Sequence, residues 1–138
     1  MPSMMAYPSW IKVSDMDYSK AVAAVEQYMV GLEGDDVQVI LDLYAEDAQV
    51  EDPIGSDLVV GHEALATFYN FALGSITKAS LTGPVRLAAN EAAFSFTLQL
   101  GDDSDPTYMD IIDVFKFNEE GKVISMRAFW GAENMRKA

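Results

Sequence analysis

The stretch AAFSFTLQLGDDSDPTYMDIIDVFKFNEEGKVISMRAFW, residues 92–130, decides the fold. Ala92, Phe94, Phe96, Leu98 and Leu100 alternate with Ala93, Ser95, Thr97 and Gln99. Successive side chains on a strand point to opposite faces, so this alternation predicts a strand with one buried face. The polar, turn-rich run from Gly101 to Pro106 links it to a second strand over 107–118. Asn118–Gly121 then forms a turn, and a third strand follows over 122–131. Long strands joined by short turns predict an antiparallel meander.

Upstream the apolar period is that of a helix. Ala21, Val25, Tyr28 and Leu32 share one face of a helix over 18–33, with Val22 and Met29 beside them. Gly34 suits a left-handed stop and Asp35 the start of the next helix. That short second helix carries Val37, Ile40, Leu41 and Tyr44 on one stripe. A third helix over His62–Leu73 turns Leu65, Phe68, Tyr69 and Ala72 inward. Helices first and strands afterwards predict an α+β fold, with the helices on one face of the sheet. Residues 1–17 show no clear period and are expected to form an N-terminal arm ahead of a single domain over 18–138.

The chain has 138 residues, no Cys, 50% hydrophobic residues and a formal net charge of -13. Its length and apolar content suffice for one core and argue against disorder. The missing Cys excludes disulfides, thiolate nucleophiles and Cys-ligated zinc. The negative charge repels phosphate, which argues against nucleic acid and anionic lipid as partners. No apolar run approaches the roughly 20 residues of a membrane-spanning helix. The first residues lack the basic start and apolar stretch of a secretory signal. The expected location is the cytoplasm.

Several residues break the pattern. One face of the second strand reads Met109, Ile111, Asp113, Phe115, Phe117, so an acid stands among large apolar side chains. Burying an ionised carboxylate is expensive, and protonation is the cheaper outcome. A neutral acid can donate a hydrogen bond; the plainer reading is a buried Asp satisfied by backbone or Arg. Tyr28 lies on the buried face of the first helix, and its O–H needs a partner. With inward Tyr44 and Tyr69 it forms either ordinary core or a polar cluster in an apolar cavity. Asp52, in Val50-Glu51-Asp52-Pro53, is either a turn former before Pro or a carboxylate base at a pocket mouth. His62, the only His, reads as solvated or capping. The acidic run Asp102, Asp103, Ser104, Asp105 lacks the length and terminal Glu of a calcium loop. No Gly-rich phosphate motif is present.

Four blocks then carry a resemblance: VEQYMVGLEGDD (25–36), YAEDAQVEDPIGSDLVVGHEALATFYNFAL (44–73), LTGPVRLAANEAAFSFTL (81–98) and MDIIDVFKFNEEGKVISMRAFWGAEN (109–134). Across roughly residues 20–135 the chain resembles the ketosteroid isomerases (steroid Δ-isomerases). The blocks VEDPIG and IDVFKFNEEGK together make the likeness specific. The resemblance implies a cone-shaped fold of the nuclear-transport-factor-2-like (NTF2-like) type. A curved, mostly antiparallel sheet and three helices from the N-terminal half would enclose an apolar pocket. It also implies a homodimer formed largely through the sheets.

The implied substrate is a 3-oxo-Δ5-steroid, isomerised to the conjugated Δ4 form with no metal or organic cofactor. By the same resemblance Asp52 is the general base, and Tyr28 and Asp113 donate to the enolate oxygen. Tyr69 supports Tyr28, and Tyr44 matches a further network tyrosine found in some members. The implied steroid-lining positions are Leu32 on the first helix, Phe94, Phe96 and Leu98 on one strand, Met109 and Ile111 on the next, and Met126 and Trp130 on the last. A non-catalytic steroid or apolar-ligand carrier, and a related acid–base enzyme such as a polyketide cyclase, remain the alternatives, since one fold hosts many functions.

Overall fold

The structure, a computed structural model, describes residues 8–10 and 15–137. Its helices are α1 (Tyr18–Glu33), α2 (Val37–Leu41) and α3 (His62–Leu73). The strands are β1 (Tyr44–Glu51), β2 (Val59–Val60), β3 (Ile76–Leu81), β4 (Arg86–Ala88), β5 (Glu91–Leu100), β6 (Thr107–Phe117), β7 (Val123–Phe129) and β8 (Met135–Lys137). They form one sheet in the order β2-β1-β7-β6-β5-β3, with β4 paired to β5 and β8 to β6. The expected meander is β5-β6-β7, and both of its pairings are antiparallel. This is the α+β, NTF2-like architecture the sequence predicts. Most of the expected arm, residues 1–7 and 11–14, lies outside the described residues.

The alternation on β5 and β6 becomes a buried inner face. Phe94 and Phe96 are each only 2% exposed, and Phe115 is fully buried. Ser95, Thr97 and Ile112 point to the outer face. Register shifts interrupt the β1–β7, β3–β5 and β6–β7 ladders. Such irregularities bend strands, and here they curve the sheet around α1 and α3. Val25, Leu65 and Ile40 complete the core from the helices, all at 0% exposure. At the sheet's rim, the Ala79 N–H of β3 donates to the Glu33 carboxylate at the end of α1, at 3.0 Å.

Three local expectations are corrected. Tyr44 is not on the second helix: α2 ends at Leu41, and Tyr44 opens β1, which runs parallel to β7. The helical stripe fits Tyr44 by spacing, but the Asp42 N–H already closes the helix on Gln38 O. The left-handed residue after α1 is Asp35, with φ 55, while Gly34 keeps a right-handed φ of -81. Asp is among the few side chains that tolerate that conformation. Gly34 is required for space instead, because a Cβ there would lie 2.9 Å from Val30 O. Asp36, not Asp35, caps α2 by accepting the N–H groups of Gln38 and Val39. No helix among the described residues is long and apolar enough to cross a membrane.

Gly31 marks the closest approach of α1 and α2. A Cβ there would sit 2.6 Å from Ile40 Cγ1 and 3.3 Å from Val39 Cγ1. Gly→Ala in a helix ordinarily gains up to about 1 kcal/mol. Overpacking a buried contact costs about 1–3 kcal/mol, so crowding wins. Gly31→Ala should lower the melting temperature, and Gly31→Val should lower it further. Thermal denaturation followed by circular dichroism checks the order.

Candidate active site

The inner face of the meander sets the site. Asp113 on β6 lies between Phe94 on β5 and Ala128 on β7. Its parity is that of its apolar neighbours, so its carboxyl is carried inward and is 1% exposed. Among the described residues, neither an Arg nor a backbone group reaches its Oδ1, which is buried with no hydrogen-bond partner. Burial first, and the charge of Asp52 second, push its pKa well above the ordinary carboxylate value. Burial thus favours the neutral, protonated form of Asp113.

Asp52 reaches the same place by another route. β1 pairs in parallel with β7, matching Val50 to Met126 and Glu51 to Arg127. The chain then turns through Pro53, and the Ile54 N–H donates to Ala128 O at 2.9 Å. Asp52 thus emerges beside Ala128, the residue that flanks Asp113 on the other side. Its carboxylate is largely buried, and burial raises its pKa. The Trp130 indole N–H donates to Asp52 Oδ1 at 2.7 Å and works in the opposite direction.

The tyrosines supply neutral donors. Tyr28 and Tyr69 hydroxyls lie 2.9 Å apart, and those of Tyr44 and Tyr69 lie 2.6 Å apart. Burial raises all three phenol pKa values well above the ordinary one, so all three keep their protons. Donation from Tyr44 to Tyr69 and from Tyr69 to Tyr28 leaves the Tyr28 hydrogen free for the cavity.

That cavity measures about 50 Å³ and is lined by Tyr28, Asp52, Tyr69 and Asp113 together with apolar side chains. Of the expected lining residues, Leu32, Phe96, Leu98 and Ile111 reach it. Phe94 does not: it packs behind, with its ring 5.7 Å from Phe96 and 4.9 Å from Phe115. Met109 and Met126 are buried outside the lining, Met126 opposite Phe115. Phe68, Ala72 and Ile76 line it instead, from α3 and the start of β3. Trp130 meets the site through Asp52 alone, a role its position does not announce; the signal was an indole N–H needing an acceptor. His62 neither caps a helix nor stands free in solvent. Its Nε2 lies 2.9 Å from Tyr44 O, and Gly61 occupies the cap position of α3.

The state of Asp113 has a consequence for stability. In the unfolded chain it titrates near its ordinary 3.8, while in the folded chain it keeps its proton to higher pH. The folded state binds the extra proton, so stability falls as pH rises from that value towards the raised one. Asp113→Asn removes this loss. Its melting temperature should exceed the parent's at pH 7. The gap should close towards pH 4; a gap independent of pH contradicts the protonated state.

Comparisons with known proteins show the family. Residues 25–126 match the SnoaL-like domain family. The chain is 39% identical over 113 residues to a steroid Delta-isomerase of Nocardioides simplex, covering 82% of this chain and 91% of the relative. It also resembles the solved structure of SalBIII, an epoxide hydrolase/cyclase-like enzyme described for pyran ring formation in polyether salinomycin. That likeness has a TM-score of 0.80 and 25% identity, and covers 88% of this chain and 98% of the other. The chain belongs to the SnoaL-like domain family and, within the NTF2-like fold, to the ketosteroid isomerases.

Proposed function

We propose that this protein isomerises 3-oxo-Δ5-steroids to conjugated 3-oxo-Δ4-steroids without a cofactor. One observation carries the reading: a buried, unpartnered carboxyl at Asp113 shares its cavity with Tyr28 and Asp52. An orphaned buried polar atom is rare, and a ligand oxygen is the partner it lacks. The Asp52 carboxylate removes the C4 proton, which lies between the ketone and the double bond. The electron pair moves towards the ketone oxygen and forms a dienolate. Tyr28 and protonated Asp113 donate hydrogen bonds to that oxygen, in a site that excludes water and so strengthens them. Asp52 then delivers the same proton to C6, and the Δ4 enone is complete. A neutral carboxylic acid as donor is the established pattern of the ketosteroid isomerases themselves.

The two acids take opposite roles because their surroundings differ. Asp52 holds the Trp130 N–H, which favours its anion, whereas nothing stabilises an anion at Asp113. A cavity of about 50 Å³ holds only a water or so. A four-ring substrate therefore requires the surrounding side chains to move apart as it binds. The likeness to a cyclase-like enzyme favours ring-closing chemistry as the second reading. A donor pair facing a base serves either reaction, so the identity of the product separates the two readings.

The test is the rise in enone absorbance with 5-androstene-3,17-dione. Purified protein should produce it. Tyr28→Phe should lower turnover about a hundredfold to a thousandfold. Asp52→Asn should lower it by at least about a hundredfold. Activity should fall at acid pH as Asp52 takes up a proton at its raised pKa. No absorbance change from the parent protein removes the isomerase reading, and a different product from it supports the cyclase reading.

We also infer that two copies pair through the outer face of the sheet. Ile112, Phe129 and Ile54 are 49%, 43% and 42% exposed around a hollow of about 670 Å³ on that face. A second copy of the same face is the occupant that the family resemblance implies. Sedimentation should show a dimer, and Phe129→Glu should shift it towards monomer.

A further inference from the structure

We propose that Arg136, latched to Asp110, is a positioning residue that holds Trp130 against Asp52. The proposal rests on Asp52 being the base of the reaction above. Trp130 leaves the end of β7 and the chain returns as β8, so a short strap joins two strands that pair with the same edge of β6. β7 pairs with β6 from Ile112 onward, and β8 pairs with it from Thr107 to Met109. Asp110 and Ile111 lie between the two ladders, and the strap carrying Trp130 passes this gap.

Arg136 closes the gap. Its Nε donates to Asp110 Oδ2 at 2.9 Å and its Nη2 to Oδ1 at 3.3 Å. Thr97 on β5 donates to Asp110 Oδ1 at 2.7 Å, so the carboxylate is already oriented from the other side. The guanidinium also lies 5.0 Å from the centroid of the Tyr108 ring. The turn between Trp130 and β8 is closed by the Gly131 N–H donating to Asn134 Oδ1 at 2.8 Å and the Asn134 N–H donating to Gly131 O at 2.9 Å. An isolated exposed ion pair does little. A two-pronged fork on a carboxylate fixed by a neighbouring strand holds a defined geometry. Neither Arg136 nor Asp110 lines the cavity of Tyr28, Asp52 and Asp113, but both border the outer hollow of the inferred dimer, so an effect is assigned to the strap only in variants whose sedimentation matches the parent's.

The base feels the strap through one bond, the indole N–H at 2.7 Å. A donor to a carboxylate favours its ionised form, so loosening the strap raises the pH at which Asp52 ionises. The other groups facing Asp52 are Asp113 from β6, Tyr28 from α1 and Tyr44 from β1, and none changes in the variants below.

The experiment uses a Trp10→Phe background, in which Trp130 gives the one indole N–H signal in proton NMR. The pH titration of that signal reports Asp52 whether or not the protein turns over a steroid. Arg136→Met and Asp110→Asn should each raise the midpoint by about half a pH unit, and Arg136→Lys, which keeps the charge but not the fork, should recover only a small part of it. In the isomerase assay the acid limb of kcat/KM should move the same way. kcat should fall about threefold to tenfold while KM stays near the parent value. Arg136→Met added to Trp130→Phe should lower kcat no further than Trp130→Phe alone. A midpoint unmoved by Arg136→Met, even with a lower melting temperature, overturns the latch, as do losses that multiply in the double variant. A midpoint that moves in a protein with no isomerase activity keeps the latch and removes the reaction.

Discussion

A carboxyl group in an apolar wall, with one oxygen lacking any partner, is the constraint from which the rest of this site follows. Asp113 is placed by strand parity, and that parity is shared with Phe115, Phe117, Ile111 and Met109. A one-residue slip in β6 would carry the acid to the outer face and expose the apolar residues with it. The same register that builds the core therefore buries the acid. In water the group would ionise; burial in this wall favours its neutral form, the form with a hydrogen to give. The aromatic packing of Phe94, Phe96 and Phe115 around Tyr28 keeps the surroundings dry.

The second requirement is that another acid, a short distance away, behaves differently. The protein meets it by bringing Asp52 from a different part of the chain, along a parallel pairing, and stopping it at Ala128. A small residue between the two acids leaves both side chains room to enter one cavity. Trp130 then supplies the hydrogen bond that Asp113 is denied. The tyrosine chain from Tyr44 through Tyr69 to Tyr28 adds polarised donors without adding a formal charge.

Much of this was legible in the sequence where a period ran long. The bounds of α1 and α3 follow from apolar spacing, and β5 and β6 from alternation and the turns between them. The acid at Asp113 was visible because it interrupts a regular apolar series. What could not be read locally depends on partners distant along the chain. Nothing in the residues of β1 says that it lies parallel to β7, so the meeting of Asp52 with Asp113 comes from the family resemblance and not from a pattern. Tyr44 fits a helical stripe and a strand start equally well until the end of α2 is known. Trp130 reads as apolar lining because its N–H partner lies far upstream. The cavity is lined by only part of the expected set for a related reason. Parity tells which residues face inward, but not which of them, such as Phe94 and Met126, are covered by other core side chains.

The Glu33 carboxylate seated on the Ala79 N–H bears on a different hazard. β3 ends the sheet on one side, and an outermost strand with bare amides is a template on which a foreign chain can add. Occupying one of those amides with an acid from α1 blunts that template and discourages fibrous growth from this border. Association that leaves the molecule intact is thereby steered away from its hydrogen-bonding margin.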